Sequence, residues 1–526
     1  MIRVRQVKVP ITDNNEQTII LKIATKLNVS IKKIKNYNIT KKSIDARDKK
    51  NIFYVYEFDV LVENENDILR KNKSKDILKT PEESYKFLIT GTLKMKHKPV
   101  IVGSGPAGLF CAYLLAENGY NPIIIERGEK IEDRVDTVEK FFKDNILNKN
   151  SNVQFGEGGA GTFSDGKLNT LTKDKYNRGK KVFEIFVENG APKEILYENK
   201  PHIGTDLLRG VIINIRNKII EMGGVFRYST CLTNLIIKDS KITGIELNNK
   251  EILNCDSLVL AIGHSARDTF KMLLSNNVDI TSKPFAVGIR IQHPQKLINE
   301  AQYGKNKNLP NASYKLVYNT KSKRGVYSFC MCPGGYVVNS SSDLGETVIN
   351  GMSNYKRDSI NANSAIVVTV SEKDYGTGPL DGIRFQEKLE SLAYELGDGK
   401  IPTQLYIDYK NNRNTKQFGS VKPVFKGDYN FTNINDIFPN YINQALVEGI
   451  EYFSKKIKDF NLDDAIISAV ESRTSSPVRI NRNEEFMSNI YGIYPCGEGS
   501  GYSGGITTSA IDGLKVAEKI AQIYMN

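Results

Sequence analysis

The 526-residue chain has few of the features that would place it in a membrane or an oxidising compartment. No apolar run approaches membrane-spanning length, and the start, MIRVRQVKVP, lacks the apolar stretch of a secretory signal. Its six cysteines are scattered and indicate no disulfide framework of a secreted protein. The sequence therefore predicts a soluble cytoplasmic protein with two or three domains and no membrane partner.

Metal-ligand spacing is also absent among the four histidines and six cysteines, so no metal site is expected. Only Cys330 and Cys332 are close, as C-M-C. Alternation along a strand would put both on one face, which leaves a redox or metal role open. Two small apolar residues in a strand are the simpler interpretation.

Positive charge is concentrated at the start of the chain. Residues 1–99 carry 22 Lys and Arg against 12 Asp and Glu, whereas the remaining residues carry 51 against 48. A basic lobe can attract RNA, an anionic membrane or an acidic protein. A solvated lysine-rich surface is the simpler interpretation, and RNA remains an alternative partner.

A glycine-rich turn follows the short apolar strand Pro99–Val102. Gly103, Gly105 and Gly108 form G-x-G-x-x-G, a helical segment follows, and the next strand ends at Glu126. This order predicts a βαβ unit that binds a dinucleotide, with the pyrophosphate at the helix N-terminus and the acid near the ribose. The predicted contacts of this unit are Gly103, Ser104, Gly105, Pro106, Ala107, Gly108, Glu126 and Arg127.

Two distant segments indicate which dinucleotide is bound. The strand-like DSLVLAIG ends at Gly263, and IYPCGEGSGYSGGITTSAIDG leads into a helix from about 507 to 524. With the fingerprint, these resemble the signatures of FAD-dependent oxidoreductases of glutathione-reductase-type fold. The resemblance implies that FAD also contacts Gly263, Gly497, Glu498, Gly505 and Ile506. Glu498 stands where those proteins have an Asp that binds the flavin ribityl chain, and its side chain is longer by one methylene.

Several longer strings are similar to a bacterial family of functionally uncharacterised FAD-dependent dehydrogenases with an N-terminal α+β domain. They are KKSIDARDKK, NVQFGEGGAGTFSDGKLNT, KPHIGTD, KPFAVGIRIQHPQ and GEGSGYSGGITTSAIDG. The implied fold class is α/β: a Rossmann-like FAD-binding domain, an inserted mixed-sheet α+β substrate domain and a small N-terminal α+β domain. The predicted boundaries are 1–95 for the N-terminal domain and linker, 96–275 and 463–526 for the FAD-binding domain, and 276–462 for the insertion.

The loop 152–168 also resembles a nucleotide-phosphate loop, because GTFSDGK matches its first seven positions. The ATP interpretation fails because Leu168 stands where magnesium needs Ser or Thr, and because Asp165 would repel phosphate. Paired glycines instead allow a flat ring or a pyrophosphate to approach the backbone. We therefore expect Gly158, Gly159, Ala160 and Gly161 to lie against FAD.

The resemblance implies an oxidoreductase that transfers hydride to or from flavin N5. It names no substrate, and the arginines of the middle and late segments predict that the substrate is small and anionic. The catalytic residues stay open among five candidates: His202, Arg290, His293, Arg473 and Arg479. No C-x₄-C or C-x₂-C lies beside the first helix, so flavin-linked disulfide chemistry is not expected. No second dinucleotide fingerprint follows, which leaves NAD(P)H open as a transient electron donor. An RNA-binding flavoprotein and a monooxygenase are the alternatives.

Overall fold

The computed structural model describes residues 1–170, 172, 174–306 and 308–526. Its first unit is a four-stranded antiparallel sheet in the order β2-β3-β1-β4, with its own apolar core. One helix covers this sheet through Ile19, Ile23 and Leu27, as its apolar spacing predicts. The elements are β1 (Ile2–Pro10), α1 (Glu16–Leu27), β2 (Ile34–Asp45), β3 (Phe53–Val62), α2 (Glu65–Lys71) and β4 (Ile77–Lys79).

The charged segment KKSIDARDKK supplies the end of β2, which continues to Asp45 opposite Phe53. The reason is tertiary: the Lys42 ammonium lies 2.8 Å from the Glu198 carboxylate, and its backbone N–H donates to Tyr197 O. A lysine-rich segment is thereby held as a strand against the next unit.

A five-stranded parallel sheet in the order β25-β12-β6-β7-β8 forms the second unit. The predicted βαβ unit is confirmed as β6-α3-β7, and the predicted last helix as α13. The strands are β6 (Val100–Val102), β7 (Ile123–Ile125), β8 (Val225–Arg227), β12 (Leu258–Leu260) and β25 (Ile493–Pro495). The helices are α3 (Pro106–Glu117), α4 (Ile131–Asp144), α5 (Arg178–Glu188), α6 (Thr205–Glu221), α7 (Arg267–Ser275) and α13 (Ile506–Ile523).

A seven-stranded sheet, β15-β16-β19-β14-β23-β20-β22, lies between the two halves of this unit in sequence. It reaches Glu471, beyond the predicted boundary at 462. Its strands are β14 (Phe285–Pro294), β15 (Val317–Asn319), β16 (Gly325–Cys332), β19 (Asn361–Val370), β20 (Ile401–Leu405), β22 (Tyr429–Phe431) and β23 (Ile466–Glu471). The accompanying helices are α8 (Gln295–Tyr303), α9 (Glu372–Tyr375), α10 (Asp381–Gly397), α11 (Tyr406–Lys410) and α12 (Asn440–Phe453).

Smaller sheets complete the architecture. One contains β9 (Leu232–Lys238), β10 (Lys241–Leu247) and β11 (Glu251–Asn254), another β17 (Tyr336–Asn339), β18 (Ile349–Met352) and β21 (Phe425–Lys426). Two pairs are β13 (Ile280–Ser282) with β24 (Val478–Ile480), and β5 (Leu93–Lys94) with β26 (Tyr524–Met525). Among the described residues, no helix combines the length and the apolar character needed to cross a membrane.

Candidate functional site

A cavity of about 540 Å³ lies where the parallel sheet meets the seven-stranded sheet. Its wall takes residues from the carboxyl ends of the parallel strands, from the glycine loop, and from β16, β18 and β23. Ligands of open parallel sheets bind at this strand edge. The predicted cofactor contacts in the wall are Gly103, Gly105, Pro106, Ala107, Glu126, Arg127, Gly159, Ala160, Gly161, Gly263, Glu498, Gly505 and Ile506.

The other predicted cofactor contacts support the wall from behind. Ser104 donates its N–H and hydroxyl to Glu126. Gly108 allows α3 to pack close, because a Cβ there would lie 1.9 Å from Gly103 O. Gly158 donates its N–H to Ser104 O at 2.9 Å, and Gly497 donates to Asp512 at 2.8 Å.

Two helix N-termini meet at this cavity. Helix α3 begins at Pro106 after Gly105, and α13 begins at Ile506 after Gly505, and in the described structure no side chain caps either of them. The free first-turn N–H groups and the helix dipole favour an anion at such an end. The helices cross closely at Gly513, where a Cβ would lie 2.2 Å from Ala107 O. The cavity therefore receives two helix N-termini, each of which favours a negatively charged group.

Glu126 organises the turns around one end of the cavity. One carboxylate oxygen accepts from the N–H and hydroxyl of Ser104, at 2.9 and 2.7 Å. The other accepts from the N–H groups of Gly128 and Gly156, at 2.9 and 3.1 Å. A carboxylate has about four lone-pair sites, so these four donors occupy its capacity. A ribose hydroxyl that binds Glu126 must therefore replace one donor, and the rotatable Ser104 hydroxyl is the group best able to move.

The glycine loop is shaped around a buried guanidinium that the sequence did not indicate. Arg134 of α4 is fully buried and donates to the carbonyls of Asn152, Val153, Glu157 and Gly159 at 2.6–3.1 Å. The loop therefore directs these four carbonyls toward α4. Residues 159–161 of the loop also line the cavity.

The end of the same loop brings charged groups into the wall. Lys167 Nζ lies 3.1 Å from Asp165 Oδ2, and Asp165 also pairs with Arg357. Burial opposes both charges, but each stabilises the other: the pKa of the Asp165 carboxyl is lowered and that of the Lys167 ammonium is raised. Asp165, whose charge argues against ATP binding by this loop, is thus held in an ion pair at the cavity wall.

The five catalytic candidates are placed very differently. Arg473 lies in the wall and bonds Glu390 on its other side, at 2.6 Å. Arg290 is fully buried behind the wall and pairs with Glu471, which itself lines the cavity. The remaining three are not among the described residues that line the cavity, although His202 forms a β-bridge with the wall residue Lys167.

Those three candidates have structural partners elsewhere. His202 Nε2 lies 2.9 Å from Tyr355 O, and His293 Nε2 lies 2.6 Å from Phe460 O. The Arg479 guanidinium stacks over the Tyr502 ring, 5.1 Å from its centroid. Within the described residues, the structure therefore gives a cavity position to Arg473 alone of the five.

Other wall residues escaped the sequence reasoning. His264 lies in the wall, with Nδ1 2.9 Å from Ser265 Oγ. Burial, followed by Arg473 and Arg267, lowers its pKa to about 3, so its ring is neutral. The position of His264 directly after Gly263, a predicted cofactor contact, could have indicated from the sequence that it lies at the site. Cys330, Asn350 and Glu471 also line the cavity, and only tertiary contacts bring them there.

Glu498 is an acid of the wall whose pKa is raised. Burial raises the pKa of its carboxyl to about 7, against the opposing effects of the Gly505 N–H and Lys283. This side chain therefore changes charge near neutrality.

Family models match three parts of the chain. Residues 284–474 match "FAD-dependent protein, C-terminal domain-like", and residues 101–149 match "NAD(P)-binding Rossmann-like domain". Residues 1–61 match a domain of unknown function (DUF8436), which gives the RNA alternative no support. The fold, the cavity and these matches define the class of the protein, an FAD-dependent oxidoreductase.

Within that class, a full-length relative shows the family. An uncharacterised protein of Clostridium beijerinckii is 48% identical over 531 residues, covering 99% of this chain and 99% of its own length. The chain belongs to the family of this protein. The family-model matches at 101–149 and 284–474 confirm the predicted resemblance to FAD-dependent oxidoreductases, whereas the glutathione-reductase type of fold stays a prediction.

Solved structures of flavoenzymes are more distant. Glycine oxidase from Bacillus cereus is 11% identical, with a TM-score of 0.34, over 81% of this chain and 95% of that chain. L-proline dehydrogenase from P. horikoshii is 14% identical, with a TM-score of 0.35, over 81% and 94%. These scores are too low to support an inference about this chain.

Proposed function

We propose that the cavity binds FAD and that the enzyme transfers hydride between flavin N5 and a small substrate. The convergence of two uncapped helix N-termini on one cavity carries this proposal. Gly105 and Pro106 would hold the pyrophosphate, and Glu126 and Arg127 the adenosine end. The glycine loop would cover the cofactor, as its exposed backbone at Gly159–Gly161 suggests.

The redox chemistry is that of the bound flavin, which accepts or donates a hydride. The chain supplies position, charge and exclusion of water. The N-terminus of α13, which begins at Ile506, favours negative charge and would stabilise a reduced, anionic ring. The neutral ring of His264 and the titrating carboxyl of Glu498 are the wall groups able to hold or release a proton.

We further propose that the substrate is anionic, with Arg473 and Lys167 as the cations that would meet it. Both lie in the wall, and both already pair with carboxylates, Glu390 and Asp165. The substrate anion would then share these cations rather than meet an unpaired charge. This arrangement favours a small, singly charged acid, because a larger charge would be repelled by the same carboxylates.

Anaerobic flavin reduction tests this function. Purified protein is mixed with NADH, NADPH, small carboxylates and their uncharged amides, and the flavin absorbance is followed. We expect bleaching by one donor class, and faster bleaching by carboxylates than by amides if the substrate is anionic. Protein that stays colourless after FAD is added would refute the cofactor site, and equal rates with amides would refute the anionic substrate alone. Bleaching by NAD(P)H would identify the transient donor.

A further inference from the structure

A bulge in β16 places two cysteines at different depths beside the cavity. Phe329 pairs with Ala365 and Cys332 pairs with Asn363, so two residues of β16 oppose one of β19. Cys330 lies in this bulge with φ +41°, a conformation uncommon outside glycine. The strict alternation expected from the C-M-C pattern is broken here. Cys330 consequently lines the cavity, while Cys332 is fully buried behind it.

The inner thiol lies over the backbone of the outer cysteine. The Cys332 thiol donates to Cys330 O at 3.3 Å. Residues two apart on a regular strand are separated by about 6.6 Å, near the upper limit for a disulfide. The extra residue of the bulge replaces this regular spacing between Cys330 and Cys332.

Two fixed cations stabilise negative charge on this pair. Lys167 Nζ lies 3.8 Å from Cys332 Sγ, and Arg290 Nη1 donates to Cys330 O at 3.1 Å. The Cys332 hydrogen bond, followed by Lys167 and Arg290, lowers the pKa of the Cys330 thiol well below its usual range. The pKa of the inner Cys332 thiol is raised correspondingly, because its neighbour carries the charge.

The other buried cysteines contrast with this pair. Burial raises the pKa of Cys255 to about 12, and it raises the pKa of Cys111 and Cys496 as well. A thiolate, not a thiol, is the reactive form of cysteine. Of the two cysteines that line the cavity, Cys330 and Cys496, Cys330 is therefore the one whose thiolate is favoured.

We propose that Cys330 and Cys332 form a dithiol–disulfide couple that exchanges two electrons with FAD. The inference rests on the proposed function, since it requires FAD in the cavity that Cys330 lines. In the oxidising direction, an Sγ–Sγ bond forms and both thiol protons are lost. The two electrons and a proton pass to the flavin, the other proton leaves to the flavin or to solvent, and the reverse step restores both thiols.

The couple doubles the electron capacity of the holoenzyme and defines a substrate class. A dithiol and a flavin together store about four electrons, whereas a flavin alone stores about two. Because Cys330 faces the cavity, a small disulfide or thiol can reach it and exchange with it. The proposed chemistry differs from the sequence-based expectation, since a thiol pair adjoins the cavity although none lies beside α3.

An anaerobic reductive titration of the oxidised holoenzyme tests the proposal. We expect about four electron equivalents per flavin for the natural chain and about two for Cys330→Ser and Cys332→Ser. The matched control is Cys231→Ser, a partly exposed cysteine outside the cavity wall, which should keep about four. Mass analysis of the peptide containing residues 330–332 should show the loss of two hydrogens on oxidation and their return on reduction.

The possible results distinguish failure of the thiol couple from failure of the proposed FAD site. Flavin that binds and takes up only about two electrons in the natural chain, with free thiols at 330 and 332 after oxidation, would overturn the couple and leave the FAD site intact. A protein without bound flavin would overturn both. The peptide mass in the natural chain needs no substitution, so a Cys→Ser variant that fails to fold does not remove the test.

Discussion

At the scale of single residues, buried side chains that bond to backbone groups hold the glycine loop and the turns beside the cavity. Arg134 holds the glycine loop by four carbonyls, and Glu126 ties three turns together. Both side chains are buried charges that would be costly to bury without these partners. Their contacts order the loop in the absence of FAD, so that less conformational entropy is lost when FAD binds.

Gly159→Val tests the approach of the loop to the fingerprint. The Gly159 Cβ would lie 3.0 Å from Gly105 Cα, at φ +62°. Overpacking of this kind costs about 1–3 kcal/mol, so FAD should bind about 10- to 100-fold more weakly in a fluorescence titration. Gly345→Val is the matched control, because Gly345 has φ +75° but no atom within 4 Å of its Cβ. Equal FAD affinity in the two variants would contradict the assignment of the loop to the cofactor.

Glu498 should make the stability of the FAD-free protein depend on pH. The folded state holds its proton up to about pH 7, whereas an unfolded Glu loses it near pH 4.5. Stability from this group is therefore lost as pH rises between those values. Glu498→Gln should remove that loss and raise the free energy of unfolding at pH 8 by up to about 3 kcal/mol. The exposed Glu484→Gln serves as control, and parallel urea-midpoint profiles for both variants would show that Glu498 does not titrate as described.

At the scale of elements, the crossing of α3 and α13 aligns the two N-termini at the cavity. Gly513→Ala would bring a methyl group to within 2.2 Å of Ala107 O, which neither helix can accommodate without moving. We expect a loss of about 1–3 kcal/mol in unfolding free energy, together with weaker FAD retention. Gly210→Ala in α6 is the control, because nothing lies within 4 Å of its Cβ. It should be neutral or slightly stabilising, and a Gly513→Ala protein that behaves the same way would refute the close crossing.

The elements that sequence reasoning predicted are those whose signal is local. The glycine turn, α3 and β7 follow from short-range patterns between 99 and 126, and α13 follows from helical apolar spacing. The bulge at Cys330 depends on β19, and the position of Lys167 depends on Asp165 and Arg357. Such contacts join residues far apart in sequence. For that reason the sequence identified the cofactor and noted the C-M-C pair, but it did not indicate that the pair lies beside the cavity. Of its five catalytic candidates, one reaches the wall.

At the scale of the whole molecule, the basic N-terminal sheet is an attached unit with its own core. None of the described residues before Val102 lines the cavity. We expect a chain that begins at residue 82 to retain FAD, with a lower thermal midpoint because the Lys42–Glu198 contact is lost. Flavin absorbance per protein is the measurement, with the intact chain as reference. A folded but colourless truncated chain would show that the N-terminal unit helps to form the site.

The cofactor cavity combines strands and helices from both ends of the fold. β6 and α3 form one side, and β25 and α13, which follow only after residue 492, form the other. On the ribosome, the N-terminal sheet and all of the seven-stranded sheet emerge before that second side exists. During most of its synthesis the nascent chain therefore has only one side of the cavity, with apolar residues that the missing side would cover. We expect FAD to bind at a late step of maturation, after synthesis of α13.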